Sequence, residues 1–299
     1  ERSRRQRQMC IRDSFDGDVS GAGALTVASG TGGVTFGSTV GNGVNITSLD
    51  TTGTTGNITL TGNLDSDGTV LFNGPVLLAA DATITTSDDL VTFSSSLNNA
   101  QNLVVTTGSG GVTFTGIVGG STPLTSILTT GTTGTITLGA NVNTTGAQNY
   151  VGAVSFNSDI ALNVSGGTDS DDVSFGDTVT STADSLDINV AGSGDVTFGD
   201  GSGTDTVSGI NALTVDGNAI TVNTPVSATS IVFQGANSSG DQLTIASGGS
   251  LSATGLVTIG AANDTTEIET IGLSGNITSD SDSSGTVSYT HLRAHETSA

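Results

Sequence analysis

The sequence predicts an all-β chain wound as a right-handed parallel β-helix (β-solenoid) of about 20 residues per coil. Three observations predict it. They are a gapless 78-residue internal repeat, a recurring Val-x-Phe step, and Gly-, Asn- and Asp-rich strings placed where coils would turn.

The repeat is the firmest of the three. ALTVASGTGGVTF at Ala24–Phe36 returns as NLVVTTGSGGVTF at Asn102–Phe114, every position displaced by the same interval. The register then holds through TTGTTG at Thr51–Gly56 and Thr129–Gly134, and through ITL at Ile58–Leu60 and Ile136–Leu138. It persists to Asp81 and Asp159. A repeat without a gap over that length marks a single structural unit copied in tandem.

Inside it runs a finer period. Eight of the nine phenylalanines follow a β-branched residue two positions earlier, from Val34/Phe36 to Ile231/Phe233. Side chains alternate along a strand, so Val-x-Phe places both on one face. Several successive phenylalanines lie nineteen to twenty-three positions apart. Where the interval nearly doubles, an aliphatic pair such as Ile136/Leu138 fills it. The expectation is an interior ladder of Phe36, Leu60, Phe72, Phe93, Phe114, Leu138, Phe156, Phe175, Phe198 and Phe233, one above another. Four such turns would make each 78-residue unit. About thirteen coils at the inter-strand spacing of about 4.8 Å would make a rod of roughly 65 Å.

The turn strings complete the prediction. GSGG, TTGTTG and DGSG supply residues that tolerate positive φ at tight corners. Thr, Val and Ile suit the short strands between them. Tandem immunoglobulin-like sandwiches compete for a 78-residue unit, but no Trp is present to anchor a sandwich core and a twenty-residue subperiod is foreign to that fold.

Composition bounds the function. All six bases are terminal (Arg2, Arg4, Arg5, Arg7, Arg12 and Arg293), and from Phe15 to Thr286 there is no Lys, Arg, His, Cys, Met or Trp. So sharp a change at both ends reads as non-native translated adapter sequence over 1–14 and 287–299, with the solenoid over 15–286. That body keeps 25 of the 28 acids and no base. Nucleic acid and anionic membrane surfaces are therefore not expected as partners, because nothing neutralises phosphate. No apolar run is long enough to span a bilayer as a helix.

Val34-Thr35-Phe36-Gly37, Gly56-Asn57-Ile58-Thr59-Leu60 and the TTGTTG strings, set in Gly-, Thr- and Asn-rich coils, cover most of 15–286. In these the chain resembles the repeat regions of filamentous-haemagglutinin-type exoproteins and autotransporter passenger adhesins of Gram-negative bacteria. The resemblance implies export to the cell surface and a structural or adhesive stalk acting in adhesion, aggregation or biofilm. It further implies a host-cell, surface or matrix ligand, and a longer parent chain continuing at both ends.

Chemistry has little to work with. Without His, Lys or Cys in the body there is no base near neutrality, no amine nucleophile and no thiolate, so no enzyme is expected. Asp88/Asp89 and Asp171/Asp172 invite comparison with the paired carboxylates of glycosidases, yet neighbours on a strand face opposite ways. Calcium has one candidate ligand, Asp205. The string Gly201-Ser202-Gly203-Thr204-Asp205-Thr206-Val207 matches one copy of a G-x-G-x-D-x-U calcium repeat. Only a poor second copy exists, at Gly166–Val173, so solvated acidic turns are the default and no cofactor is expected. Sequons beginning at Asn45, Asn57, Asn163, Asn237 and Asn276 are what an Asn- and Thr-rich composition generates by chance.

Overall fold

The structure is a computed structural model that describes residues 13–235, 241–260, 268 and 270–279, with the backbone of 287–289. The adapter-like ends fall largely outside those residues, although Asp13–Phe15 and Val287–Tyr289 pair as strands. The fold is all-β, with short parallel strands stacked as a β-solenoid of about 11 turns and about 24 residues per turn. Hydrogen bonds run along the axis from one turn to the next, unlike the circumferential pairing that closes a barrel.

Among the described residues the turns pair with their neighbours on three faces, through short strands, single bridges, and two ten-residue strands that each span two faces. On the first face Val34, Ile58 and Val76 stack in register, and the column continues to Phe233 and Ile259. On the second, Leu25, Leu49, Val70 and Val91 begin a column that ends with Leu251 and Ile277. The third carries Ile84, Val105, Thr129 and Tyr150 on to Val222 and Ile245. Three-residue strands such as Val112–Phe114 bury the outer two side chains and leave the middle one half-exposed. This alternation lets so polar a chain build a continuous apolar interior.

All ten residues of the expected ladder are buried. They do not form one column. Phe36 and Leu60 lie on the first face, with Phe15 stacked on Phe36 at 5.3 Å between ring centroids. Phe72, Phe93, Phe114, Leu138 and Phe156 are consecutive rungs of the second face, their first three rings 5.1 Å apart. Phe175 and Phe198 stack under Tyr150 on the third, and Phe233 returns to the first between Val215 and Ile259. The stretch from Phe156 to Phe175 advances by two faces, not by a full turn.

The turn is longer than the phenylalanine spacing because corners vary in length and the step from Phe156 to Phe175 is less than a full turn. Val70, Val91 and Val112 follow one another closely, whereas the step from Val179 to Val207 is longer, the extra length forming the loop through Gly201–Asp205. Eleven turns at about 4.8 Å make a stack of about 53 Å, shorter than thirteen coils would give.

This geometry reinterprets the 78-residue unit. Three turns carry the chain from Leu25 through Leu49 and Val70 to Val91 on the second face. The chain then crosses the first face at Leu97 and reaches Leu103, the copy of Leu25, on the third. The unit is three turns and two faces, one face short of four turns. Its pairing is copied faithfully: Val34–Ile58–Val76 on the first face becomes Val112–Ile136–Val154 on the second. The second copy is therefore offset from the first by one face about the axis.

The repeated strings lie at the corners. Thr51 and Thr54 of TTGTTG are buried, their hydroxyls donating to the carbonyls of Leu71 at 3.0 Å and Val27 at 3.1 Å on adjacent turns. Gly134 closes the second string against the corner below, where an added Cβ would lie 2.4 Å from the Gly111 nitrogen. Asn and Asp side chains staple other corners to the next turn. Asn63 and its copy Asn141 accept from the N–H of Thr83 and Ala161, each at 2.9 Å. Asp81 accepts from Asn102 and Asp88 from Ser109 in the same way.

Candidate functional site

Of the residues named from sequence, Asp205 lines a cleft of about 350 Å³ between the Gly201–Thr206 loop and Asn223–Pro225. Its backbone carbonyl accepts from the Thr224 hydroxyl. Desolvation, aided by the charges of Asp177 and Asp200, raises its carboxyl above the usual range. Among the described residues no three His, Cys, Asp or Glu side chains come together as metal ligands.

The paired carboxylates serve the corners. Asp88 accepts from the Ser109 N–H at 2.9 Å and from its hydroxyl at 3.1 Å. Asp171 accepts from the N–H and hydroxyl of Thr168, and Asp172 from the N–H of Asp195. These bonds tie Asp88 and Asp172 to the next turn and Asp171 to its own corner, and the Asp171 charge still acts on Asp172.

A second feature, which sequence reasoning missed, lies on the outer surface of the first face. Asn143, Asn163 and Asn189 are paired in register on successive turns, followed by Asp216. Their amides bond along the axis: Asn163 Nδ2 donates to Asn143 Oδ1 at 2.8 Å, and Asn189 Nδ2 donates to Asn163 Oδ1 at 3.0 Å. Asn189 also donates to Asp187 at 3.2 Å. Two clefts of about 360 and 320 Å³ flank this ladder and share Asn163 and Ser165, so they join into one groove along the axis. Gly119, Gly120 and Pro123 wall one end, and Val190 to Gly192 with Asp216 the other. The only sequence signal was Asn at 143, 163 and 189. Without the turn boundaries, such unequal intervals do not identify a ladder.

Asp216 is the electrostatic oddity of the groove. Its Oδ1 is shielded from solvent and has no hydrogen-bond partner. Burial, with the charges of Asp241 and Asp187, pushes its carboxyl up to about 6. A carboxyl raised in the folded state destabilises the fold while ionised, so its cost is present above pH 6 and disappears as the pH falls towards 3.8. Asp81 and Asp88 behave oppositely. The N–H bonds from Asn102 and Ser109 hold their carboxyls low, and the stability they add is lost only as the pH falls below 3.8. Asp216→Asn is therefore expected to raise the thermal midpoint at pH 7–8, with a gain of about 1 kcal/mol after screening at a half-exposed site. The gain should vanish below pH 4. Calorimetry across pH checks this, and an equal gain at every pH would refute the assignment.

The stacked faces, buried columns and stapled corners define a parallel β-solenoid repeat protein. The chain matches no family model, no curated protein and no solved structure.

Proposed function

We propose that the chain is a structural and adhesive stalk of a large bacterial surface protein of the filamentous-haemagglutinin or autotransporter-passenger type. The observation that carries the reading is the continuous core. One column of buried side chains runs through the turns on each face, so every added turn extends the rod and buries its apolar side on the turn before. The acidic, base-free body supports an exported setting, since such a surface stays soluble and repels nucleic acid and anionic lipid. In this reading the chain continues at both ends into a longer parent and meets a host-cell, surface or matrix ligand.

The test is display of the chain on bacterial cells. Cells carrying it are expected to attach to host cells or abiotic surfaces, or to clump, several-fold more than cells carrying the anchor alone. Equal attachment and equal clumping would remove the adhesive reading while leaving the solenoid intact.

A further inference from the structure

The geometry points to the groove over Asn143, Asn163, Asn189 and Asp216 as a binding site for an uncharged, extended oligosaccharide lying parallel to the solenoid axis. Three features of the groove carry this.

The first is the chemistry of the floor. A carboxamide offers two N–H donors and two acceptor lone pairs. Asn163 uses one N–H on Asn143 and one lone pair for Asn189, which leaves one of each for a ligand. Paired donors and acceptors at one point suit a sugar hydroxyl, which both donates and accepts. The second is spacing. The ladder repeats once per turn, about 4.8 Å, and runs about 14 Å from Asn143 to Asp216. A β-1,4-linked pyranose chain advances by a similar distance per sugar, so successive sugars meet successive rungs.

The third is charge. Asp187 and Asp216 stand at one end, and the described body has no basic residue to offset them. Anionic glycans and phosphate-bearing polymers are repelled. A peptide fits less well. Strand addition needs an open sheet edge, and here the backbone of neighbouring turns is already paired across the groove.

For its biological use the inference rests on the adhesive reading, but binding itself is measured on the purified chain. Cellohexaose is titrated into the isotopically labelled full chain and side-chain amide resonances are followed. The expected result is that the Asn143, Asn163 and Asn189 amide signals shift together and oligogalacturonate shifts none of them. Ser165→Leu, which blocks the exposed junction of the two clefts without touching the ladder, should weaken binding at least tenfold. Asn163→Ala should do the same, and unchanged backbone spectra of Ser165→Leu guard against simple unfolding. No shift up to the solubility limit, full binding by Ser165→Leu, or displacement of cellohexaose by oligolysine would overturn the proposal. In the display assay, Ser165→Leu cells that adhere normally would sink the groove alone. Wild-type cells that bind cellohexaose without adhering would sink the stalk's adhesive role alone.

Discussion

Phe93→Ala is expected to lower the unfolding free energy by about 3–5 kcal/mol, the range for emptying a phenylalanine-sized core site. Phe93 is 1% exposed and sits between Phe72 and Phe114, with both ring pairs at 5.1 Å. Truncation removes two stacking contacts as well as the buried area, and the column cannot collapse, because the register of each turn is fixed by its neighbours on all three faces. The position adds a second effect. In a solenoid each turn is coupled only to the turns above and below, so a cavity at one turn weakens the single link between the two halves. Urea unfolding of the wild type should show one transition. Phe93→Ala should shift its midpoint down and broaden it, or split it in two. Phe93→Leu, which keeps most of the volume, should cost about 1 kcal/mol and stay cooperative. A loss below about 1 kcal/mol for the alanine variant would mean that the phenylalanine column is not what holds the turns together.

Gly111→Ala is the second large effect, at about 3 kcal/mol or more. Gly111 has φ +77° and stands where a new Cβ would lie 2.3 Å from the Thr135 carbonyl oxygen of the next turn. Two costs combine, the left-handed conformation and a clash with backbone that cannot move without breaking a corner. Gly43 separates them. It has φ +76° but nothing within 4 Å of a new Cβ, so Gly43→Ala carries only the conformational cost, about 1 kcal/mol. Gly33, the equivalent of Gly111 in the first copy of the repeat, has φ +76° and a carbonyl, that of Asn57, at 2.4 Å. Gly33→Ala should therefore match Gly111→Ala. Thermal midpoints of the three variants check the ranking, and equal losses at Gly43 and Gly111 would show that turn-to-turn contact contributes nothing.

The parallel solenoid was legible because its determinants are local. Val-x-Phe and Ile-Thr-Leu steps state which side of a three-residue strand is buried, and the structure buries Val112 and Phe114 with Thr113 between them half-exposed. The glycines of GSGG and TTGTTG mark corners for the same reason, a steric limit carried by the residue itself. The turn length was not local. Near-equal spacings between phenylalanines mix full turns, as from Phe72 to Phe93, with two-thirds of a turn, as from Phe156 to Phe175. Identical strand motifs occur on all three faces, so spacing alone does not say which face is meant. The groove was hidden by the same ambiguity. The asparagines at 143, 163 and 189 become a ladder only once two turns of unequal length are known to bring them into register.

The amino-acid sequence alone was enough to define the kind of unit: short strands with one apolar side, corners of Gly, Asn and Asp, and a 78-residue block present in two copies. How those units wind emerged only from the folded chain. A block of three turns and two faces offsets the second copy and places Phe36 and Phe114 on different faces. It also leaves the Asn143–Asn163–Asn189 ladder aligned on one outer surface. The division has a simple cause. Burial is encoded residue by residue through side-chain alternation. Register between turns is set by hydrogen bonds among residues far apart in the chain, across corners whose length the strands do not constrain.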